Sequence, residues 1–450
     1  MATKNNLLLA FYGDDFTGST DALEFMSRAG AKTALFIEPP TELQLAKYPH
    51  LDAIGVAGNT RSLSPEKMEA VLIPAFTALN RLGARHVHYK VCSTFDSSPT
   101  VGSIGKAIDV GASIFTNRFV PLLVAAPALG RYCLFGNLFA RMGIGSSGEI
   151  YRIDRHPSMS KHPVTPADES DLRLHLGKQT QKKTGLVDIL QIEKPQQELG
   201  ALVDKLVSEK SEVILIDALE ERQLLTIGTM IDGQVSKGIT LFSVGSSGIE
   251  MALGKYWISK QVLKPVDHWP NPGKATPLLV ISGSCSPVTV AQIAWAKAHG
   301  FEEVVLDASA VCMVDDASAI LTSTTQKVVD FLQQNKSIIV HTNGGADATV
   351  GNLSSEKLGG ALGEITRKAL EKVSIKRVVV AGGDTSSYAA RAMGIEAVEM
   401  ITALVAGAPL CKATAPGSSL EGVEVNFKGG QVGAANYFGI LMEGKMDVSV

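Results

Sequence analysis

Short apolar runs alternate with helical patterns through the first 130 residues. Leu7–Tyr12 is continuously apolar and reads as a buried strand, and Ser19–Ala29 reads as a helix closed by Gly30. Strands are expected at Lys32–Ile37, Ala53–Ala57, His86–Val91 and Val120–Ala126, with a helix opening at Ser64-Pro65 and closing at Gly83. Alternating β and α elements with continuously apolar strands imply parallel sheet covered on both faces. The stretch 151–186 breaks the rhythm with basic and proline residues and reads as loop and helix. Strands resume at Val213–Asp217 and Thr240–Val244.

Lys264–Pro277 holds four prolines and few core formers. After it come strands at Leu278–Ser282, Glu303–Leu306, Ser337–His341, Arg377–Ala381 and Val423–Phe427, with a helix from Pro287. The fold expected is α/β: two α/β domains, 1–264 and 278–450, with largely parallel sheets. A proline-rich linker at 265–277 would join them, with the active site in the interdomain cleft.

A chain of 450 residues exceeds one hydrophobic core. With 45% apolar and 19% charged residues the composition is that of a globular protein, and a net charge of −3 argues against a nucleic-acid surface. No apolar run reaches the roughly 18–20 residues that span a bilayer, so no membrane partner is expected. Five scattered cysteines form no C-x-x-C pair, which fits a reduced, cytoplasmic setting without structural zinc.

Ligands of open parallel sheets bind beyond the carboxyl ends of the strands. Three polar clusters fall there: Asp14 and Asp15 after the first strand, Asn59 and Arg61 after the third, and Lys90, Thr94 and Asp96 after the fourth. Adjacent carboxylates in Gly13-Asp14-Asp15-Phe16-Thr17-Gly18 could bind hydroxyls, hold Mg²⁺ through water or act as base. The plain alternative is a tight turn with Asp15 as a capping residue. Asp21 reads as a first-turn acid that suits the helix dipole. Arg61 and Lys90 suit a carboxylate or phosphoryl group, or ion pairs with Asp96 or Asp15. His86 and His88 share a strand face with Lys90 and read as ordinary strand residues.

In the second half, Ser282–Pro287, Gly382–Ser387 and Lys428–Gly433 are Gly/Ser-rich turns after strands, each offering backbone N–H groups to phosphate. Val244–Gly248 is a fourth such turn, expected to line the cleft. No G-x-x-x-x-G-K-[ST], G-x-G-x-x-G after a strand, G-x-S-x-G or H-E-x-x-H occurs. An NAD-linked oxidoreductase therefore lacks its pyrophosphate fingerprint. A non-catalytic sugar-acid sensor would not need the acidic pairs.

Gly13–Gly18, Lys90–Pro99, Ala126–Arg131, Ser282–Ser286 and Gly382–Thr385, in this order, resemble the motifs of the four-carbon acid sugar kinase family. The resemblance spans residues 11–440. It implies a sugar-acid domain followed by a nucleotide domain, and ATP-dependent phosphorylation of a terminal hydroxyl. Substrates would be threonate, erythronate, their 3-oxo forms, or a branched acid such as 3-oxo-isoapionate. Asp15, Asp96 and Lys90 would be catalytic, and Asp14, Asn59, Arg61 and Thr94 would bind substrate. Ser284, Gly382, Gly383, Asp384, Thr385 and Gly430 would bind ATP, with Mg²⁺ bridging its phosphates and no dedicated metal ligands. Asp384 stands where the family usually has glutamate. Val91 replaces a common lysine, and Lys428–Gly433 departs from K-S-G-N-F-G. A homodimer is left open.

Overall fold

The computed structural model describes residues 7–142, 148–162, 164–236, 238–314, 316–342 and 354–445. The expected domain limits at residues 1 and 450 lie outside them. In chain order the first strands are β1 (Leu9–Gly13), β2 (Thr33–Phe36), β3 (Ala53–Ala57), β4 (His86–Lys90) and β5 (Val120–Leu123). Next come β6 (Arg131–Leu134), β7 (Asn137–Arg141), β8 (Ile150–Arg152), β9 (Thr184–Val187), β10 (Val213–Ile216) and β11 (Leu241–Gly245). The last are β12 (Leu279–Ser282), β13 (Glu302–Val305), β14 (Ile338–His341), β15 (Arg377–Ala381), β16 (Ala397–Val405), β17 (Ala408–Thr414) and β18 (Glu424–Lys428).

The chain divides into two units, Met1–Thr33 with Pro39–Asp267, and Ala34–Glu38 with His268–Val450. In the first, seven strands run parallel in the order β3-β1-β4-β11-β5-β10-β9. Every residue of β1, β3, β4, β5, β10 and β11 is buried, as continuously apolar strands with helices on both faces require. His86 and His88 are the polar exceptions on β4. His86 Nε2 meets Asp232 at 3.0 Å and His88 Nδ1 meets Glu250 at 2.6 Å, which satisfies them inside the core. A separate antiparallel sheet, β6-β7-β8, follows β5. Its pattern of alternating exposure was not anticipated from the sequence.

In the second unit the order is β13-β14-β12-β15-β18-β17-β16-β2. The first five strands are parallel, whereas β17, β16 and β2 pair antiparallel. Two expectations change here. The Lys32–Ile37 strand, expected in the first domain, contributes Ala34–Glu38 to the second unit, because β2 pairs with β16 (Phe36 with Ala397, Leu35 with Val398). The β16–β17 hairpin was not foreseen, since its half-buried strands carry Glu399 and Lys412 opposite each other rather than an unbroken apolar run.

Arg377 is a fully buried cation at the start of β15. Its Nε donates to Glu424 at 2.7 Å, its Nη2 to the Gly273 carbonyl at 3.1 Å, and its Nη1 to the Leu441 carbonyl. It thereby ties β15 and β18 to the segment before β12 and to the last helix. Arg377→Ala strands Glu424 and two carbonyls, and is expected to cost roughly 3–5 kcal/mol. Urea denaturation of the full chain measures this, and an unchanged midpoint would contradict it.

Candidate active site

Register brings the sequence-distant clusters of the first unit to one line. Gly13 at the end of β1 pairs with Ala57 of β3 and with Lys90 of β4, and Lys90 pairs with Gly245 of β11. The residues that follow these strand ends share a rim. Asp14 N–H donates to the Lys90 carbonyl (2.8 Å), and Arg61 N–H donates to the Asp14 carbonyl (3.0 Å).

Asp15 is the N-cap of the Phe16–Arg28 helix, its Oδ1 accepting from the Gly18 N–H at 2.7 Å. Its Oδ2 accepts from the Thr17 hydroxyl at 2.9 Å and lies 3.0 Å from Arg61 Nη1. Arg61 also grips Asp14 with two prongs, Nε to Oδ2 at 3.1 Å and Nη2 to Oδ1 at 2.9 Å. Position 18 must be glycine, because a Cβ would sit 2.5 Å from Asp15 Oδ1 and 3.2 Å from Lys90 Nζ. Asp15 is thus the capping residue of this helix and at the same time a partner of Arg61.

The two adjacent carboxyls diverge. Burial raises Asp14 above the usual aspartate range, and the Arg61 guanidinium opposes this without prevailing. Burial acts the same way on Asp15, but there the cations of Arg61 and Lys90 prevail and hold it below that range. Lys90 is 2% exposed; its Nζ donates to the Val91 carbonyl at 2.9 Å and lies 3.9 Å from Asp21 Oδ2.

Asp21 is a correction. The helix starts at Phe16, not Ser19, so Asp21 falls in its second turn and faces Lys90. Ser247 of the Val244–Gly248 turn donates its hydroxyl to Asp21 Oδ2, while Oδ1 is buried with no partner among the described residues. Burial raises this carboxyl too, against the Lys90 ammonium. The only sequence signal for it was the Gly-Ser turn after β11.

Thr94 and Asp96 do not join this cluster. Thr94 Oγ1 bonds Cys92 Sγ at 2.9 Å, and both residues line a separate cavity of about 10 Å³ with Glu169 and His175. The chain reaches that cavity through Phe95, whose φ of 59° is strained for a bulky side chain. Arg61 pairs with Asp14 and Asp15, not with Asp96. Asn59 precedes the Thr60–Ser62 turn on the rim, and its side chain caps nothing. Among the described residues no three His, Cys, Asp or Glu groups converge as metal ligands.

The second unit repeats the device. Ser282 at the end of β12 pairs with Ala381 of β15, and Ala381 pairs with Lys428 of β18. The three Gly/Ser turns leave these ends side by side, with Gly382 N–H donating to the Lys428 carbonyl at 2.9 Å. Gly382 has φ +123°, and a Cβ on Gly430 would lie 2.9 Å from Ser284 Oγ. Ser284, Gly382, Thr385 and Gly430 thus pack together at these strand ends, with Asp384 exposed beside them. Helices Pro287–Ala298 and Gly383–Ala392 start from two of the turns and aim their N-termini there. Lys428 is fully buried; its Nζ donates to Thr289 Oγ1 at 3.0 Å, and that hydroxyl donates to the Gly430 carbonyl at 3.0 Å.

Comparison with known proteins agrees with this division. Residues 9–253 match a family described as a sugar-binding N-terminal domain, and residues 279–438 one described as a nucleotide-binding C-terminal domain. The chain belongs to the four-carbon acid sugar kinase family. Within that family it is 42% identical to a 3-oxo-isoapionate kinase of Paraburkholderia graminis, over 98% of this chain and 95% of that protein. It is 27% identical to a 3-oxo-tetronate kinase of Methylobacterium radiotolerans, over 97% and 99%. A solved Salmonella typhimurium structure superposes with TM-score 0.78 at 24% identity, covering 98% of this chain and all of that one. A Haemophilus influenzae structure gives 0.70 at 22%, covering 96% and 98%. These two establish the α/β fold alone. Among the described residues no helix is long and apolar enough to cross a membrane.

Arg61→Gln tests the rim. Without the guanidinium, Asp14 is pushed further up, so the folded state binds protons above pH ~3.9 that the unfolded state has released. Stability then falls as pH rises. The variant should lose roughly 3 kcal/mol at pH 7, the low end for a buried pair because Arg61 is 28% exposed, and less at pH 5. Denaturant titrations at both values measure it, and equal losses would contradict it.

Proposed function

We propose that the protein is an ATP-dependent kinase of a small sugar acid, with a branched 3-oxo acid of the 3-oxo-isoapionate type as substrate. The full-length 42% identity to a kinase of that acid carries the reading, against 27% to a kinase of a linear acid.

Phosphoryl transfer asks of the protein mainly positioning and charge neutralisation. Backbone N–H groups of the Ser284, Gly382–Thr385 and Gly430 turns would hold the ATP phosphates, at strand ends from which two helices start. Mg²⁺ would come with those phosphates; the described residues offer no cage of their own, and Asp384 is the exposed carboxylate that would meet it. When bound, it neutralises phosphate charge.

On the sugar-acid side, Lys90 would face the reacting oxygen as the cation. Asp15 is an anion whose oxygens are already occupied by Thr17, Gly18 and Arg61, which suits orientation of the site better than proton removal. Asp21 has a raised carboxyl, with Oδ2 facing Lys90 and Oδ1 without a partner among the described residues, which suits it to receive the hydroxyl proton. Asp14 and Arg61 form the wall behind it. Asn59 would contact the parts of the substrate away from the reacting hydroxyl, whereas Thr94 and Asp96 line the separate small cavity.

An ADP-release assay across a panel of sugar acids tests the reading. Turnover should be saturable and fastest with a branched 3-oxo acid; ATP consumption with none of them would refute it. Asp21→Asn should lower kcat by roughly 10²–10⁴ with an intact fold. The acid limb of kcat should lie above pH ~3.9, the ordinary aspartate value, because burial raises Asp21. Full turnover in Asp21→Asn would remove Asp21 from the acceptor role.

A further inference from the structure

A kinase of sugar acids must hold a carboxylate, and the cation that sequence spacing favoured is already spent. Arg61 gives Nε and Nη2 to Asp14 and Nη1 to Asp15. To take a substrate carboxylate it would have to release the buried Asp14 and the partly buried Asp15. Lys90 donates to the Val91 carbonyl and leans toward Asp21. A third cation stands on the same line of strand ends. Leu123, the last residue of β5, pairs with Gly245 of β11, the neighbour of Lys90. Beyond Leu123 the chain turns through Ala126–Gly130 to Arg131.

That turn is rigid. Ala126 and Arg131 exchange two backbone hydrogen bonds (3.0 and 3.2 Å), and Gly130 takes the left-handed conformation at φ 67°. Arg131 is only 6% exposed, yet among the described residues no carboxylate lies within ion-pair distance of it. Its Nη1 is turned to three carbonyls, those of Leu129 (3.0 Å), Gly130 (3.3 Å) and Arg141 (3.1 Å). No hydrogen bond among the described residues uses Nε or Nη2, and Nε is buried. The fork is thus fixed by one prong, with its Nε–Nη2 edge left without a hydrogen-bond partner among the described residues. That edge is the one that receives a carboxylate through two parallel hydrogen bonds. A guanidinium buried against neutral carbonyls alone is poorly compensated, and an anionic ligand would supply the missing charge. Arg131 also feels the charges of Asp96 and Asp21, neither of which pairs with it.

We propose that Arg131 is the residue that binds the substrate carboxylate, side-on through Nε and Nη2; this rests on the sugar-acid kinase reading above.

The test compares kcat/KM for a sugar acid that the parent protein phosphorylates and for its neutral primary amide, in the parent, R131Q, R131K and Lys90→Gln. The parent should prefer the acid by about 10²-fold, the worth of a charge-assisted pair. In R131Q the KM for the acid should rise by a similar factor while kcat and the KM for ATP change little, and the preference for acid over amide should collapse toward one. A merely structural role would weaken acid and amide alike. R131K keeps the charge without the two-pronged edge and should lie between; if R131Q fails to fold, a folded R131K with unchanged KM and preference overturns the assignment. An undiminished preference in R131Q, or its collapse in Lys90→Gln instead, overturns it as well. Absence of turnover by the parent on any sugar acid would overturn the kinase reading along with it, so the two failures are distinguishable.

Discussion

The clasp of Arg61 on Asp14 and Asp15 is the interaction on which the sugar-acid side depends. Two adjacent, buried carboxylates repel each other, and burial drives both toward the neutral form. One guanidinium bonded to both resolves the conflict, and does so unequally. Asp15 also caps the helix and feels Lys90, so it stays ionised; Asp14 has only Arg61 at close range and is raised. The clasp joins the loop after β1 to the turn after β3, and so fixes which side chains face the rim. It also commits every prong of Arg61 that the geometry offers, so the cation for an anionic substrate must come from elsewhere.

Parallel register extends this constraint across the sheet. Once Gly13 pairs with Ala57 and Lys90, and Lys90 with Gly245, the turns after β1, β3, β4 and β11 must end level. Ser247 reaches Asp21 for that reason, although 226 residues separate them in sequence. Helices cover both faces of the strands, so the rim is where a polar group can stay near water. Lys90 and Asp21 are charges at that boundary, largely desolvated yet within reach of a ligand.

Much of this was legible from the sequence because continuously apolar strands announce parallel sheet, and parallel sheet announces where its ligands bind. Asp14, Asp15, Arg61 and Lys90 could be grouped on that ground alone. Asp21 could not, because the helix boundary was set three residues late: Asp15 caps it, and Phe16 is buried as its first residue. The antiparallel strands β6–β8 and β16–β17 escaped because half of each faces outward, leaving no apolar run to find. The transfer of β2 to the second unit depends on its pairing with β16, a strand that itself went unread. Asp96 was grouped with Lys90 by proximity in sequence, and the left-handed Phe95 between them turns it into another cavity.

Lys428 shows the same physics on the nucleotide side with the opposite solution. Desolvation lowers its ammonium to about 8, and among the described residues no carboxylate pairs with it. It bonds instead to the neutral Thr289 hydroxyl and lies 5.5 Å from the centre of the Tyr437 ring. A carboxylate in that place would hold the ammonium more firmly charged, but it would also set a fixed negative charge behind turns proposed to hold phosphate. A hydroxyl avoids that. Through Thr289 it passes the pull of the cation to the Gly430 carbonyl and holds the glycine turn, while leaving the field in front of the turn positive. Where a site must receive an anion, a neutral partner for the buried cation is the arrangement that costs the ligand least.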